Sequence, residues 1–148
     1  MRDEVFCRGY LRDDGTKGIR NKVLVVFTVE CSKHVCRKVA EHFQQLGEDV
    51  EAIGSHSCLH NQVNIRRLLK YCTHSNVGGV LVIGHGCEYT YPDMLADYTK
   101  ASGREAAWFY QQEAGGTLKS IARGIQIVQD MITRLKDVVR EPMYLSEL

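Results

Sequence analysis

The chain alternates between short, continuous apolar runs and longer segments in which apolar residues recur every three or four positions. Lys22 to Val29 (KVLVVFTV) is a β-branched run of the kind expected for a strand buried on both faces, and it ends in Glu30-Cys31-Ser32. From Ser32, a candidate N-cap, residues Val35, Cys36, Val39, Ala40 and Phe43 fall on one helical stripe that stops at Gly47. Val50 to Gly54 predicts a second strand, followed by the polar stretch Ser55 to Asn61 and a helix with Val63, Leu68, Leu69 and Cys72 on one face. Gly79 to Gly84 (GVLVIG) reads as a third buried strand, running into His85-Gly86-Cys87-Glu88 and a helix that Pro92 can open at its first turn. Ala106 to Tyr110 predicts a fourth strand. Gly115-Gly116-Thr117 then opens a long helix with the stripe Leu118, Ile121, Ala122, Ile125, Val128, Ile132, Leu135 and Val139.

Strands joined by helical crossovers lie parallel, so the pattern predicts an α/β fold: a Rossmann-like three-layer open sheet of about four mainly parallel strands with helices on both faces. One domain is expected over 1–148, with a glycine- and arginine-rich segment at 1–21, strand–helix repeats at 22–140 and a tail at 141–148 that contains Pro142. A length of 148 residues with 44% apolar and 25% charged positions fits one domain with one core. Nineteen basic against eighteen acidic residues leave a net charge of +1, so no field recruits nucleic acid or an acidic membrane, and neither partner is expected. No apolar run approaches a membrane span and the start, Met1-Arg-Asp-Glu-Val, lacks a secretion-signal core, so a cytoplasmic location is expected. The six cysteines include no Cys-x-x-Cys pair, which argues against a zinc knuckle or a thioredoxin-type centre, and a chain this rich in apolar segments needs no disulfide framework.

In open α/β sheets ligands bind beyond the carboxyl ends of the strands. The residues placed there are Cys31 after the first strand, His56, Cys58 and His60 after the second, His85, Cys87 and Glu88 after the third, and Gln111, Gln112 and Glu113 after the fourth. Thiols, imidazoles and carboxylates are donors for iron, zinc or manganese, and His and Glu also serve as general acids and bases. Cys36 and Cys72 lie on apolar stripes and read as core; His34, His42 and His74 read as solvated. Cys58 and Cys87 sit among polar loop residues, where a ligand and a small buried hydrophobe are both open readings. Gly84-His85-Gly86 and Gly115-Gly116-Thr117 are either tight turns or amide cradles for an anion at a helix N-terminus. Neither a G-x-G-x-x-G fingerprint nor a P-loop occurs, so no nucleotide cofactor is expected. In the segment Phe6 to Asn21, Arg12 and Arg20 offer planar forks suited to a carboxylate; the alternative is a charged turn with Arg20 paired to Asp13 or Asp14.

Three motifs occur in order: Gly9-Tyr-x-Arg-x-Asp-Gly-x-x-Gly-x-Arg-Asn21 before a strand ending near Cys31, Gly84-x-Gly-Cys-Glu88 after a buried strand, and Gln112-x-x-Gly-Gly-Thr117 leading into a helix with Gly124. Together they resemble the altronate/galactarate dehydratase family, which includes the large subunit of sulfolactate sulfo-lyase, over roughly residues 6 to 131. The chain looks like that family's central domain alone, and its Gly54-Ser-His-Ser-Cys58-Leu-His60 loop departs from the family spacing around the histidine. The resemblance implies metal-assisted β-elimination of water from a sugar acid to a 2-keto-3-deoxy acid, with a divalent metal, iron or manganese in preference to zinc. The implied roles are Arg12, Arg20, Asn21, Gly115, Gly116 and Thr117 binding substrate, His56 and His85 as base or acid, and Cys31, Cys58, Cys87 and Glu88 holding the metal. A sugar acid, a partner subunit or further domain, and a second copy of the chain are the expected partners. The competing expectations are a non-catalytic sugar-acid or metal-binding module that docks to a larger dehydratase, and a thiol-based redox or metal-storage protein with accessible cysteines of low pKa.

Overall fold

In the computed structural model, which describes residues 5–148, the elements run β1 (Phe6–Leu11), β2 (Lys17–Gly18), β3 (Lys22–Phe27), α1 (Glu30–Gln45), β4 (Val50–Gly54), α2 (Gln62–Cys72), β5 (Val77–Gly84), α3 (Pro92–Ala101), β6 (Glu105–Tyr110), α4 (Thr117–Leu135) and β7 (Glu141–Tyr144), closed by a 3-10 turn at Leu145–Glu147. Residues 1–4, which include part of the segment read as lacking a secretion signal, lie outside the described residues. Strands β4-β3-β5-β6, in that order, form one parallel sheet. Alternate residues explain its two covered faces. Val23, Val25, Phe27, Leu81 and Ile83 pack under α1 and α4, whereas Leu24, Val26, Val80 and Val82 pack under α2 and α3. The expected Rossmann-like three-layer α/β architecture is therefore present, and no described helix is long and apolar enough to cross a membrane.

The helical stripes hold except at their ends and at Ala122, which is exposed within the long fourth helix. All five apolar positions assigned to α1 are buried, but Val63 and Leu118, in the first turns of α2 and α4, are 75% and 83% exposed, and Val139 lies beyond the end of α4. Instead Ile65 completes the seam of α2, and α4 packs through Ser120, Gly124, Val128, Met131 and Ile132. Helix α1 starts at Glu30, two residues before the expected cap; Val29 is its N-cap and has no side-chain cap bond. Ser32 is consequently inside the helix, fully buried, and its hydroxyl has no hydrogen-bond partner among the described residues.

The two segments read as lying outside the strand–helix pattern form a sheet of their own, in the order β2-β1-β7. The C-terminal stretch read as a tail pairs antiparallel with β1, and Pro142 is accommodated because β7 is an edge strand. Arg12 joins this small sheet to the large one. Only 9% exposed, it donates to Ser75 O, Asn21 Oδ1 and Arg20 O, each at 2.8 Å. Asn76 Oδ1 accepts from the amides of Ile19 and Arg20, and Asn21 Nδ2 donates to Leu135 O. Arg104, with its side chain buried, pairs with Asp14 at 2.7 Å. Partial burial works against the Asp14 carboxylate, but bonds from Thr16 and Arg104 win and hold its pKa down at about 2. Arg20 pairs at 3.5 Å with Asp49, not with Asp13 or Asp14.

Because a lysine ammonium cannot reproduce the three-way fork of Arg12, Arg12→Lys should lower unfolding free energy by about 1–3 kcal/mol in urea titration. An unchanged midpoint would mean that Arg12 does not anchor the N-terminal sheet.

Candidate functional site

The carboxyl ends of β3 and β5 are adjacent, and the chain leaves them for opposite faces, into α1 and, through the 85–91 loop, into α3. Such a switch point is where an open α/β sheet presents a crevice. Glu88 fills its floor. It is 5% exposed, and its two oxygens accept four bonds: Oε1 from Thr28 Oγ1 at 2.6 Å and from the His85 amide at 2.9 Å, Oε2 from the amides of Gly86 at 2.8 Å and Cys87 at 3.0 Å. Burial alone would raise this carboxyl, but the Thr28 hydroxyl and the loop amides outweigh it and hold the pKa below the ordinary range. Two glycines permit the arrangement. A Cβ on Gly84 would lie 2.5 Å from Glu88 Oε1, and Gly86 has φ +131° with Gln112 pressed against it.

Around this floor the loops carry reactive groups outward. Cys31, Cys58 and Cys87, delivered after β3, β4 and β5, are all exposed and free. The Tyr89 amide donates to Cys58 O at 3.2 Å, fastening the loop after β4 to the loop after β5. The Cys87 thiol is raised above its ordinary value, first by local desolvation and then by the Glu88 carboxylate and the thiols of Cys58 and Cys31. The three sulfur atoms thus share one electrostatic neighbourhood, and the raised value is opposite to that of an activated redox cysteine.

His56 Nδ1 is hydrogen-bonded to Glu30 Oε2, and its ring stands edge-on to Phe27 at 5.6 Å between centroids. Bonds from His56 and then Lys33 hold the Glu30 carboxyl below its usual value. A groove of about 590 Å³ opens beside this pair along the free edge of β4, with Lys33 and Arg37 in its wall. His85 is half-buried and its Nδ1 has no partner among the described residues; the same holds for Gln111 Oε1, at the end of β6. Gly116 is the N-cap of α4 with φ +99° and no side-chain cap bond, so the first amides of this long helix are uncapped. His60 turns to Gln62 at the surface.

Residues 9–136 match the family described as D-galactarate dehydratase/Altronate hydrolase, second domain. The chain belongs to that family. It is 24% identical to altronate dehydratase of Bacillus subtilis (strain 168) over 95% of its own length and 30% of the relative's. Against altronate dehydratase of Escherichia coli (strain K12) the identity is 28%, over 94% of this chain and 30% of the relative. Against (2R)-sulfolactate sulfo-lyase subunit beta of Chromohalobacter salexigens it is 26%, over 95% and 36%. The chain thus spans about a third of the length of these curated relatives.

Within this galactarate dehydratase/altronate hydrolase second domain, the structure divides the sequence-derived site in two. Cys31, Cys58, Cys87, Glu88, His56, His85 and the Gly115-Gly116-Thr117 turn stand at the carboxyl rim. Arg12, Arg20 and Asn21 precede β3 and stand at the opposite, amino end, a six-residue strand or roughly 20 Å away. Arg12 and Asn21 are tied into the fold there, so the structure does not bring the implied substrate-binding residues of this segment beside the thiols: the segment enters the sheet before β3 begins. Glu88 spends its acceptor positions inside the fold: a carboxylate has about four, and four protein donors occupy them. Among the described residues no group of three or more His, Cys, Asp or Glu side chains is close enough to hold one metal ion. A single divalent ion held by the expected set therefore does not fit this arrangement. Sequence reading missed Glu30 as the partner of His56, and Lys33 as the second partner of Glu30. The signal available was an acidic residue directly after the first strand, at a helix N-terminus.

Glu88→Gln removes an acceptor and turns an amide donor toward the loop N–H groups, so it should cost about 2–3 kcal/mol at pH 7. Because the folded pKa is depressed, that contribution is complete above the unfolded value near 4.5 and is lost as pH falls below it through the folded value. Thermal melts from pH 7 to 2 should show the wild-type and variant curves converging in acid; parallel curves would remove Glu88 from this role.

Proposed function

We propose that this domain carries the proton-abstraction half of a sugar-acid dehydratase, eliminating water from a galactarate- or altronate-like acid to give a 2-keto-3-deoxy acid. The observation that carries the reading is the Glu30–His56 pair, set on the carboxyl rim beside an open groove. A proton next to a carboxylate is weakly acidic, so its removal needs a placed base and stabilisation of the enediolate charge that develops. With Nδ1–H donated to Glu30, the His56 ring is held in place and its Nε2 is left free to take the proton from the substrate carbon. The uncapped amides at Gly116 and Thr117 suit the substrate carboxylate. His85, with an unpartnered ring nitrogen on the same rim, is suited to protonate the departing hydroxyl. The C–H and C–O bonds break, water leaves, and the resulting enol takes up a proton at carbon to become the keto acid.

A second reading, a module that binds the acid and completes a larger enzyme, is favoured by two observations. The relatives are about three times as long, and one of them is a subunit by name. In addition, Tyr91, Met94 and Tyr98 stand exposed along α3, with Trp108 on the neighbouring edge strand β6. Such apolar groups gathered on one side suit a protein partner.

The two readings separate when the protein is incubated with galactarate, altronate and sulfolactate while 2-keto acid and melting temperature are followed. Catalysis predicts product formation that falls about 10²–10⁴-fold in His56→Ala and persists in Arg20→Ala. A rise in melting temperature without product supports the binding module. No product and no rise contradict both.

A further inference from the structure

At the carboxyl ends of β5 and β6, two buried polar atoms without partners among the described residues stand beside a helix start that has no side-chain cap. We propose that this corner reads one end of the substrate as a 2-hydroxy carboxylate: the first amides of α4 take the carboxylate, and Gln111 Oε1 accepts from the hydroxyl on the neighbouring carbon. Gln111 is then a specificity-determining residue, an assignment that rests on the dehydratase reading. Gly84 and Tyr110 are paired at the strand ends, so His85 and Gln111 follow opposite one another. The pairing runs on past the sheet, with the Gln111 amide donating to Gly84 O at 2.8 Å and the Gln112 amide to His85 O at 3.2 Å. Neighbouring strands are about 4.8 Å apart, a gap that one small acid spans.

Gln111 is only 9% exposed, and its Oε1 is buried without a partner among the described residues. Its Nε2 donates to Oγ1 of Thr117, the first residue of α4, at 3.4 Å, so the carboxamide lies against the start of the helix on a bond too long to hold it firmly. Thr117 is exposed and has room to rotate aside. A buried acceptor left in this state costs free energy that a ligand donor recovers. The helix start independently favours an anion. Its N-cap, Gly116, has no side chain and its first turn holds no acidic residue, so the amides of Thr117, Leu118 and Lys119 have no intrahelical acceptor. A Cβ on Gly116 would meet nothing within 4 Å, so the space over the turn is open. Lys119 stands in that same turn, where the helix dipole opposes a cation, and its Nζ lies 3.6 Å from where a Cβ on Gly115 would be. A carboxylate at the turn is attracted by the amides and the ammonium together.

The chemistry of the two groups names the ligand. Oε1 can only accept, and the helix start takes negative charge, so the occupant offers a donor next to a carboxylate. An α-amino acid offers the same pair, but its ammonium would stand beside Lys119 and the positive end of α4. A hydroxyl avoids that repulsion. During the elimination, the C–H electron pair of the carbon bearing this hydroxyl becomes the new C=C bond as the C–O bond on the next carbon breaks and water leaves. The hydroxyl therefore survives as the enol O–H and still donates to Gln111. When the enol gives up that proton and gains one at carbon, the ketone has nothing left to donate. Gln111 thus holds substrate and enol and releases the keto acid. His85, opposite Gln111 and with its own Nδ1 unpartnered, is the neighbour placed for the hydroxyl that departs.

The test is titration of the whole chain with lactate, its isomer 3-hydroxypropionate, pyruvate and alanine, followed by chemical shifts of backbone and side-chain amides. Lactate should bind about tenfold tighter than the other three, moving the Gln111 side-chain amide and the backbone amides of residues 116–119. In Gln111→Met, which keeps the side-chain length without the amide oxygen, the preference for lactate over 3-hydroxypropionate should disappear. The comparison among the four acids in the wild type stands whether or not the variant folds. Equal binding of lactate and 3-hydroxypropionate, a preference that survives Gln111→Met, shifts centred elsewhere, or no binding of lactate would overturn the inference. Lactate has no leaving group on its third carbon, so these readouts do not depend on turnover. Keto acid formed from galactarate at the wild-type rate by Gln111→Met would also overturn the inference while leaving the dehydratase reading intact. Lactate selectivity in a protein that makes no keto acid would uphold the site and remove the dehydratase reading alone.

Discussion

Glu88 sits where β3 and β5 diverge, and the reactive end of the molecule depends on how that carboxylate is satisfied. A buried charge is tolerated only when it is hydrogen-bonded, and here the donors are the Thr28 hydroxyl from the neighbouring strand end and three amides of its own loop. Satisfying the charge therefore shapes the chain. It curls residues 85–88 into a turn that only Gly84 and Gly86 can make, sends the Cys87 side chain outward, and locks the loop after β5 to the end of β3. The Glu88 carboxylate is spent on structure, which leaves thiols, imidazoles and the α4 amides as the chemistry available at the rim.

The opposite end of the sheet is built on the same principle with the sign reversed. There the buried charge is a guanidinium: Arg12 is held by two carbonyls and a side-chain amide oxygen, and Arg104 by Asp14. These contacts clamp the β2-β1-β7 sheet onto the amino ends of β3 and β5. The arginine-rich segment thereby reads as a structural clamp on one end of the domain, separated by the length of the strands from the thiols and the Glu30–His56 pair at the other.

Much of this was legible in the sequence because parallel strands announce themselves: short continuous apolar runs, with helical stripes between them, point to the three-layer architecture and place Cys31, Cys58, His85 and Cys87 after strand ends. Three things were not. Val63 and Leu118 continue the apolar period but fall in first helical turns, where the helix has not yet met the sheet, and period alone cannot show that. The pairing of Phe6–Leu11 with Glu141–Tyr144 joins residues from opposite ends of the chain, a long-range contact without a local signature. The division of the site is the third. Motif order in sequence brings Arg20 within eleven residues of Cys31, but a whole strand intervenes, and a strand carries its two ends apart.

The central claim is that the carboxyl rim, not the arginine-lined amino end, receives the ligand. Backbone amide chemical-shift mapping with added galactarate or altronate tests it directly. The account predicts shifts concentrated at residues 28–33, 54–60, 84–90 and 111–119, with those at 12, 20, 21 and 76 unmoved. Shifts centred on Arg20, Asn21 and Asp49, or no shifts with either acid, would contradict it.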